Sequence, residues 1–215
     1  MVYEKNDFIK KDLSNVIINS LSIMGHYLSR RLNPIKKLLV LDLDETLVHT
    51  DISYSEYPSV THINFETYYF KINDIYCTTQ VRPHMFDFLT YVSQYYDIAI
   101  FTASKKYYAD TILNAIDPDN KWFKQRYYYH NCTLLSDDGY PIKDLAIMNR
   151  KLKYIVLVDD SVSVYQDHIP NLIQIQGWTG YQHDQKLLDL CLILNEIAFS
   201  KDVRKCNLNN LFMNC

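Results

Sequence analysis

The sequence predicts an α/β fold: a Rossmann-like parallel sheet flanked by helices, with a small β-hairpin insertion and no large cap domain. Three observations carry that expectation. The run Leu38-Leu39-Val40-Leu41 is apolar at every position, the pattern of a strand buried on both faces of a parallel sheet. Further short apolar runs alternate with segments of helical period, and such alternation builds parallel sheets with right-handed crossovers. Between them lies a β-rich stretch, Thr67 to Arg82, with the turn pair Asn73-Asp74 at its middle, which reads as a hairpin.

In chain order, residues 13–28 mix apolar positions with Ser14, Asn15, Asn19, Ser20, Ser22 and His26. That suits an amphipathic leading helix ended before Pro34, and neither a signal peptide nor a membrane span. The strand at 38–41 and the hairpin follow. Pro83 to Tyr96 places Met85, Phe86, Phe88, Leu89 and Val92 at helical spacing, with Pro83 near the first turn. Asp97 to Thr102 is a short strand ending in a hydroxyl, and Lys105 to Ile116 a helix stopped at Asp117-Pro118. Lys153 to Asp160 is a second buried-strand pattern, ending in paired acids, with a helix expected from about Ser161. Asn171 to Gln176 reads as a strand and Gln182 to Phe199 as a closing amphipathic helix. The expected organisation is a helical lead-in over 1–35, a folded domain over 36–200 and a polar, aperiodic tail over 201–215.

Composition narrows the function classes. Hydrophobic content of 48% and charged content of 22% over 215 residues are values of one ordinary globular domain. A net charge of −3 lacks the basic excess of a nucleic-acid binder. The five cysteines form no C-x-x-C pair, which suits reduced thiols, an intracellular home and no structural zinc. Four glycines, at 25, 139, 177 and 180, cannot build a G-x-G-x-x-G or Walker loop. No cysteine begins the C-x-x-x-x-x-R signature of cysteine phosphatases, and H-E-x-x-H and G-x-S-x-G are absent.

The chemistry-bearing residues recur at strand ends: Asp42 and Asp44, Thr102 and Ser104, Asp159 and Asp160. Lys143 lies between the second and third pairs, in the turn-rich stretch 136–145. A strand's period of two sends Asp42 and Asp44 to one side and Leu41 and Leu43 to the other. Two carboxylates so close repel, and a hard cation such as Mg²⁺ would relieve them. In open α/β sheets strand ends converge on one crevice. There, acids would hold a metal while a hydroxyl and an ammonium complement phosphate oxygens. Taken singly, each has a plainer use: Asp44 in a turn, Thr102 or Asp160 as a helix N-cap, Lys143 as a solvated lysine. Their joint occurrence, in order and at strand ends, favours the chemistry.

The segments 41–50 (LDLDETLVHT), 81–83 (VRP), 100–118 (IFTASKKYYADTILNAIDP), 143–145 (KDL) and 156–165 (VLVDDSVSVY), with the stretch around Trp178, carry a resemblance. The chain resembles the haloacid-dehalogenase superfamily. More narrowly it resembles the small phosphatases that act on the C-terminal domain of RNA polymerase II, the FCP/SCP or NIF-type homology domain, from about Lys36 to Phe199. The resemblance implies Asp42 as a nucleophile forming an aspartyl-phosphate and Asp44 as general acid and base. It implies Thr102 and Lys143 on the phosphate oxygens, and Mg²⁺ held by Asp42, the main-chain carbonyl of Asp44, and Asp160, with Asp159 beside it. Thr46, Ser104 and Arg126 complete the expected substrate-binding set. Arg126 stands in for an arginine that relatives place three residues before a cysteine, where this chain has Tyr129 before Cys132. Asp160 stands where relatives often carry asparagine.

The implied activity is Mg²⁺-dependent dephosphorylation of phosphoserine or phosphothreonine in a protein, with the polymerase C-terminal domain as the family's target. Another phosphoprotein or a small phosphomonoester is the alternative of the same chemistry. A non-catalytic binding module of the same fold is the alternative of another class, against which both Asp42 and Asp44 are present. The implied partner is a phosphoprotein, with no nucleic acid bound directly and no membrane span, and the implied location is intracellular, nuclear by family analogy or otherwise cytoplasmic. The tyrosines of the insert (Tyr54, Tyr57, Tyr68, Tyr69, Tyr76) suit either a proline-accepting pocket or cross-strand pairs.

Overall fold

The computed structural model describes residues 36–58, 65–134, 141–161 and 168–206. The expected leading helix, and the helix expected from about Ser161, lie outside these residues. Ten strands and three α-helices are described: β1 (Lys37–Leu41), β2 (Val48–Ser53), β3 (Thr67–Ile72), β4 (Ile75–Val81), α1 (Met85–Val92), β5 (Tyr96–Phe101), α2 (Lys106–Ile116), β6 (Gln125–Tyr127), β7 (Thr133–Leu134), β8 (Pro141–Ile142), β9 (Ile155–Asp159), β10 (Leu172–Gln174) and α3 (Lys186–Ile197).

A five-stranded sheet in the order β10-β9-β1-β5-β6 forms the centre, parallel at every pairing. The apolar run of β1 therefore sits mid-sheet and is wholly buried. Its alternation splits the core: Leu39 and Leu41 join the larger cluster, while Leu38 and Val40 join a smaller one with Leu145, Met148 and Leu157. Leu43 continues the first series, buried in the larger cluster, and Asp42 continues the second. The chain runs from β1 outward through β5 and β6, then returns to the opposite side of β1 for β9 and β10. That reversal makes the carboxyl end of β1 the switch point, where such sheets open a crevice.

The insertion is larger than a hairpin. The Asn73-Asp74 turn is present, both residues with positive φ (49° and 65°), as a tight two-residue turn demands. But β2 adds a third antiparallel strand, giving the order β2-β4-β3. Val48–Ser53 alternates Val48, Thr50 and Ile52 with His49, Asp51 and Ser53, a strand's period of two that the expected hairpin left out. β6, β7 and β8, of two or three residues each, escape sequence patterning for want of length.

Boundaries shift where local geometry intervenes. α1 starts at Met85, after His84 at φ 66°, and stops at Val92 because Tyr96 already enters β5. Asn171 leaves the last strand for a 3-10 turn, its amide donating to the carbonyls of Leu152 (2.6 Å) and Ile155 (2.7 Å). The tail is corrected too: Val203–Lys205 forms a 3-10 helix with Val203 fully buried in the larger cluster, so the fold continues through Cys206.

Candidate active site

Beyond Leu41 the chain turns sharply. Glu45 adopts φ 60°, which costs a non-glycine residue about 1 kcal/mol. The turn is closed by Leu47 N–H to Leu43 O (2.9 Å) and Glu45 N–H to Val48 O (2.7 Å). Arg82, fully buried, ties it to the neighbouring loop. Its guanidinium donates to Thr46 O (3.1 Å) and Gln176 O (3.0 Å) and pairs through two bonds with Asp184 (2.8 and 2.9 Å). Trp178 N–H donates to Glu45 O (2.7 Å). The V-R-P and Trp178 segments thus brace the acid-bearing turn.

Asp42, Lys143 and Asp159 meet on one side of the crevice, all buried. The Lys143 ammonium donates to Asp42 Oδ1 (2.5 Å) and to Asp159 Oδ2 (2.6 Å), and Ser161 N–H fixes the other Asp159 oxygen (2.8 Å). Burial works against the lysine's charge, but the two carboxylates outweigh it and raise its pKa above the usual lysine value. Burial pushes Asp42 well up, opposed by Lys143 and reinforced by the charge of Asp159. Asp160 is raised by burial and then by Asp159.

Oxygen atoms of Asp42, Asp159 and Asp160 lie within 4.8 Å of one another. Three carboxylates against one ammonium leave two negative charges in excess, which a divalent cation would balance. All-oxygen donors suit a hard ion, so these residues fit Mg²⁺.

Asp44 faces elsewhere, toward hydroxyls. Its Oδ2 accepts from Ser104 (2.7 Å) and weakly from Thr102 (3.4 Å), and its Oδ1 accepts from Tyr108 (2.7 Å). Its side chain therefore stays out of the carboxylate cluster. Thr102 does not cap α2; its hydroxyl instead accepts from Ser104 N–H (2.9 Å), closing the loop that delivers Ser104. Thr46, buried, reaches Asp160 Oδ1 at 3.5 Å.

Arg126 is not part of this arrangement. It is bound to Asp110 (3.1 Å), Asn114 (2.7 Å), Asn120 (2.6 Å) and Phe123 O (3.2 Å), on the outermost strand. These four acceptors tie the guanidinium to α2 and the loop after it. Tyr108 was not among the expected site residues. Ser104 lies before the N-cap of α2, so no helical spacing pairs it with Tyr108; the packing of α2 brings both hydroxyls to Asp44.

Beside Asp44 opens a groove of about 380 Å³, walled by Ile52, Ile72, Ile75, Cys77, Tyr107 and Tyr108. Tyr57, outside the strands, packs edge-to-face with Tyr69 (5.5 Å) and Tyr76 (4.8 Å). Among the described residues no helix is long and apolar enough to cross a membrane.

Residues 37–204 match the family described as NLI interacting factor-like phosphatase. The chain is 36% identical over 186 residues to CTD nuclear envelope phosphatase 1B of Danio rerio, covering 84% of this chain and 75% of that one. It is 38% identical over 166 residues to CTD small phosphatase-like protein 2 of Dictyostelium discoideum, and 37% over 173 to nuclear envelope morphology protein 1 of Schizosaccharomyces pombe. It spans only 28% and 35% of those two proteins. Among solved structures, a fission yeast RNA polymerase II CTD phosphatase, Fcp1, bound to beryllium fluoride matches with a TM-score of 0.55 at 19% identity. The match covers 86% of this chain and 57% of that one, a likeness of fold.

Proposed function

The chain belongs to the NLI interacting factor-like phosphatase family, and from that premise we propose that it is a Mg²⁺-dependent phosphatase for phosphoserine or phosphothreonine in proteins. One observation carries the reading: Asp42 and Asp44, two residues apart, stand in opposite environments suited to different tasks. Asp42, against the Lys143 ammonium, would attack phosphorus and carry the phosphoryl group as an aspartyl-phosphate. Asp44, among hydroxyls, would give a proton to the departing serine oxygen and then take one from the hydrolytic water. Lys143 and Thr102 would hold the phosphoryl oxygens as charge develops on them. Asp42, Asp159 and Asp160 would hold Mg²⁺, which when bound neutralises and orients the phosphate.

The substrate class follows from the groove. Small-molecule relatives need a cap to close the site, whereas this fold carries only a three-stranded insert and leaves an apolar trough beside Asp44. A peptide can lay the residues flanking its phosphoserine there. Peptides of the RNA polymerase II C-terminal domain are the first candidates, since the Danio rerio and Dictyostelium discoideum relatives bear CTD in their names. An intracellular location, in the nucleus or the cytoplasm, belongs to the same proposal.

The test is hydrolysis of p-nitrophenyl phosphate with and without Mg²⁺, followed by a panel of phosphopeptides, sugar phosphates and nucleotides. Metal-dependent turnover with preference for phosphopeptides is expected. Preference for the small molecules would remove the protein substrate, and no turnover by folded, Mg²⁺-loaded protein would remove the enzyme.

A further inference from the structure

We propose that Tyr108 is a positioning residue: with Ser104 it holds the Asp44 carboxyl in the orientation from which a proton passes to the leaving group. The inference rests on the phosphatase reading above and adds to it a residue and a role.

The geometry is a two-point grip. Asp44 Oδ1 accepts from the Tyr108 hydroxyl and Oδ2 from the Ser104 hydroxyl, both at 2.7 Å. A carboxylate held at one oxygen still swings about its last torsion, which is broad. Held at both, it does not. The two donors enter together, Ser104 just before α2 and Tyr108 in its first turn. That helix is anchored by Ala109, Ile112 and Leu113, all fully buried.

Thr50, whose hydroxyl pairs with that of Thr79 (2.9 Å) across β2 and β4, lines the same groove as Tyr108. The grip on the acid is therefore set by α2 and faces the insert sheet. Hydroxyls suit this duty better than an ammonium would. They donate to a carboxylate and accept from a carboxylic acid, so the grip survives both halves of the reaction.

The test uses aryl phosphates of graded leaving-group acidity, from p-nitrophenyl to phenyl to p-methoxyphenyl phosphate. These are too small to reach along the groove, so peptide contacts do not enter. For each, kcat/KM reports transfer of the phosphoryl group to Asp42. A nitrophenolate departs without a proton, whereas the poorer leaving groups need one. Tyr108→Phe keeps the ring and removes the hydroxyl. It should lower kcat/KM by about tenfold or more for phenyl and p-methoxyphenyl phosphate, part of the ~10²–10⁴ that general acid catalysis supplies. For p-nitrophenyl phosphate the loss should stay below about twofold. Equal losses along the series, a change in KM alone, or no change would each overturn the assignment. Should Tyr108→Phe not fold, Ser104→Ala releases the other oxygen and is read in the same way. A wild-type protein that hydrolyses none of the series overturns the phosphatase reading itself, an outcome distinct from an active enzyme indifferent to the Tyr108 hydroxyl.

Discussion

Asp42 and Asp44 leave the same strand two residues apart, yet the fold gives them opposite surroundings. Asp42 is buried against an ammonium shared with Asp159, while Asp44 is half-buried and bonded to the hydroxyls of Ser104 and Tyr108. A cation beside a carboxylate favours its ionised form, which a nucleophile needs. A hydroxyl pairs with either form, which a group that must gain and lose a proton needs. β1 ends at Leu41, so strand alternation no longer governs Asp42 and Asp44, and Asp44 turns to the hydroxyls of Ser104 and Tyr108.

The largest expected effect sets the two acids against each other. Asp42→Asn should reduce p-nitrophenyl phosphate turnover by about 10³ or more, with no initial burst, because no acceptor for the phosphoryl group remains. Asp44→Asn should still release about one nitrophenolate per protein and then stall, since hydrolysis of the aspartyl-phosphate lacks its base. Rapid-mixing absorbance at the nitrophenolate band distinguishes them. A burst from Asp42→Asn, or none from Asp44→Asn in a folded protein, would exchange or cancel the roles.

Next comes the ammonium. Lys143→Ala leaves Asp42 and Asp159 facing each other with no cation, and removing one partner of a buried pair costs about 3 kcal/mol or more. The sign with pH follows from Asp42, whose pKa is raised by burial even with Lys143 present. A carboxyl with a raised folded pKa destabilises the fold once pH climbs above its unfolded value, near 3.9. The deficit of Lys143→Ala should therefore shrink as pH is lowered from 7 to 5, the direction in which Asp42 takes up a proton. Denaturant melts at both values decide it. A deficit independent of pH would mean that Lys143 stabilises by packing.

The fold and the strand-end residues that the structure brings together were legible because they rest on short-range patterns. β1 announces itself by four apolar residues; the period of two that would send Asp42 and Asp44 to one side ends with the strand at Leu41, and Asp44 faces other partners. What stayed hidden depends on long-range packing. Arg126 looked available because sequence shows its charge but not Asp110, Asn114 and Asn120 folded around it. Tyr108 sat inside a recognised segment, yet only the packing of α2 beside β1 reveals that its hydroxyl ends on Asp44. Val203 stands among Lys201, Asp202, Arg204 and Lys205, and one apolar residue in such a stretch sets no periodicity.

A smaller effect tests the excess charge on the Asp42 side. Asp160 is raised by burial and then by Asp159, so in metal-free protein its ionisation costs stability as pH climbs above its unfolded pKa. Asp160→Asn should raise the metal-free melting temperature by about 2 °C, on a scale where 1 kcal/mol moves a domain of this size by ~2–4 °C. It should also lose most of the stabilisation that Mg²⁺ gives the wild type, which reaches about 2.7 kcal/mol at a hundredfold excess over Kd. Thermal melts over a Mg²⁺ titration measure both. Equal Mg²⁺ stabilisation in the two proteins would move the metal off Asp160.

The smallest expected effect is the most discriminating about Lys143. Cys132 feels both the Lys143 ammonium and the Asp42 carboxylate, and a thiol next to a free ammonium would be lowered and reactive. Here burial dominates and pushes Cys132 up to about 11, with Asp42 opposing the pull of Lys143. The ammonium's field is thus spent on carboxylates, as a nucleophile held by it requires. Iodoacetamide at pH 7.5 should leave turnover unchanged and Cys132 unlabelled by mass spectrometry, with labelling setting in only as pH approaches 11. Rapid labelling at neutral pH would show that Lys143 projects its charge onto the thiol. The contrast between a cation-held Asp42 and a hydroxyl-held Asp44 would then be weaker than the 2.5 Å contact implies.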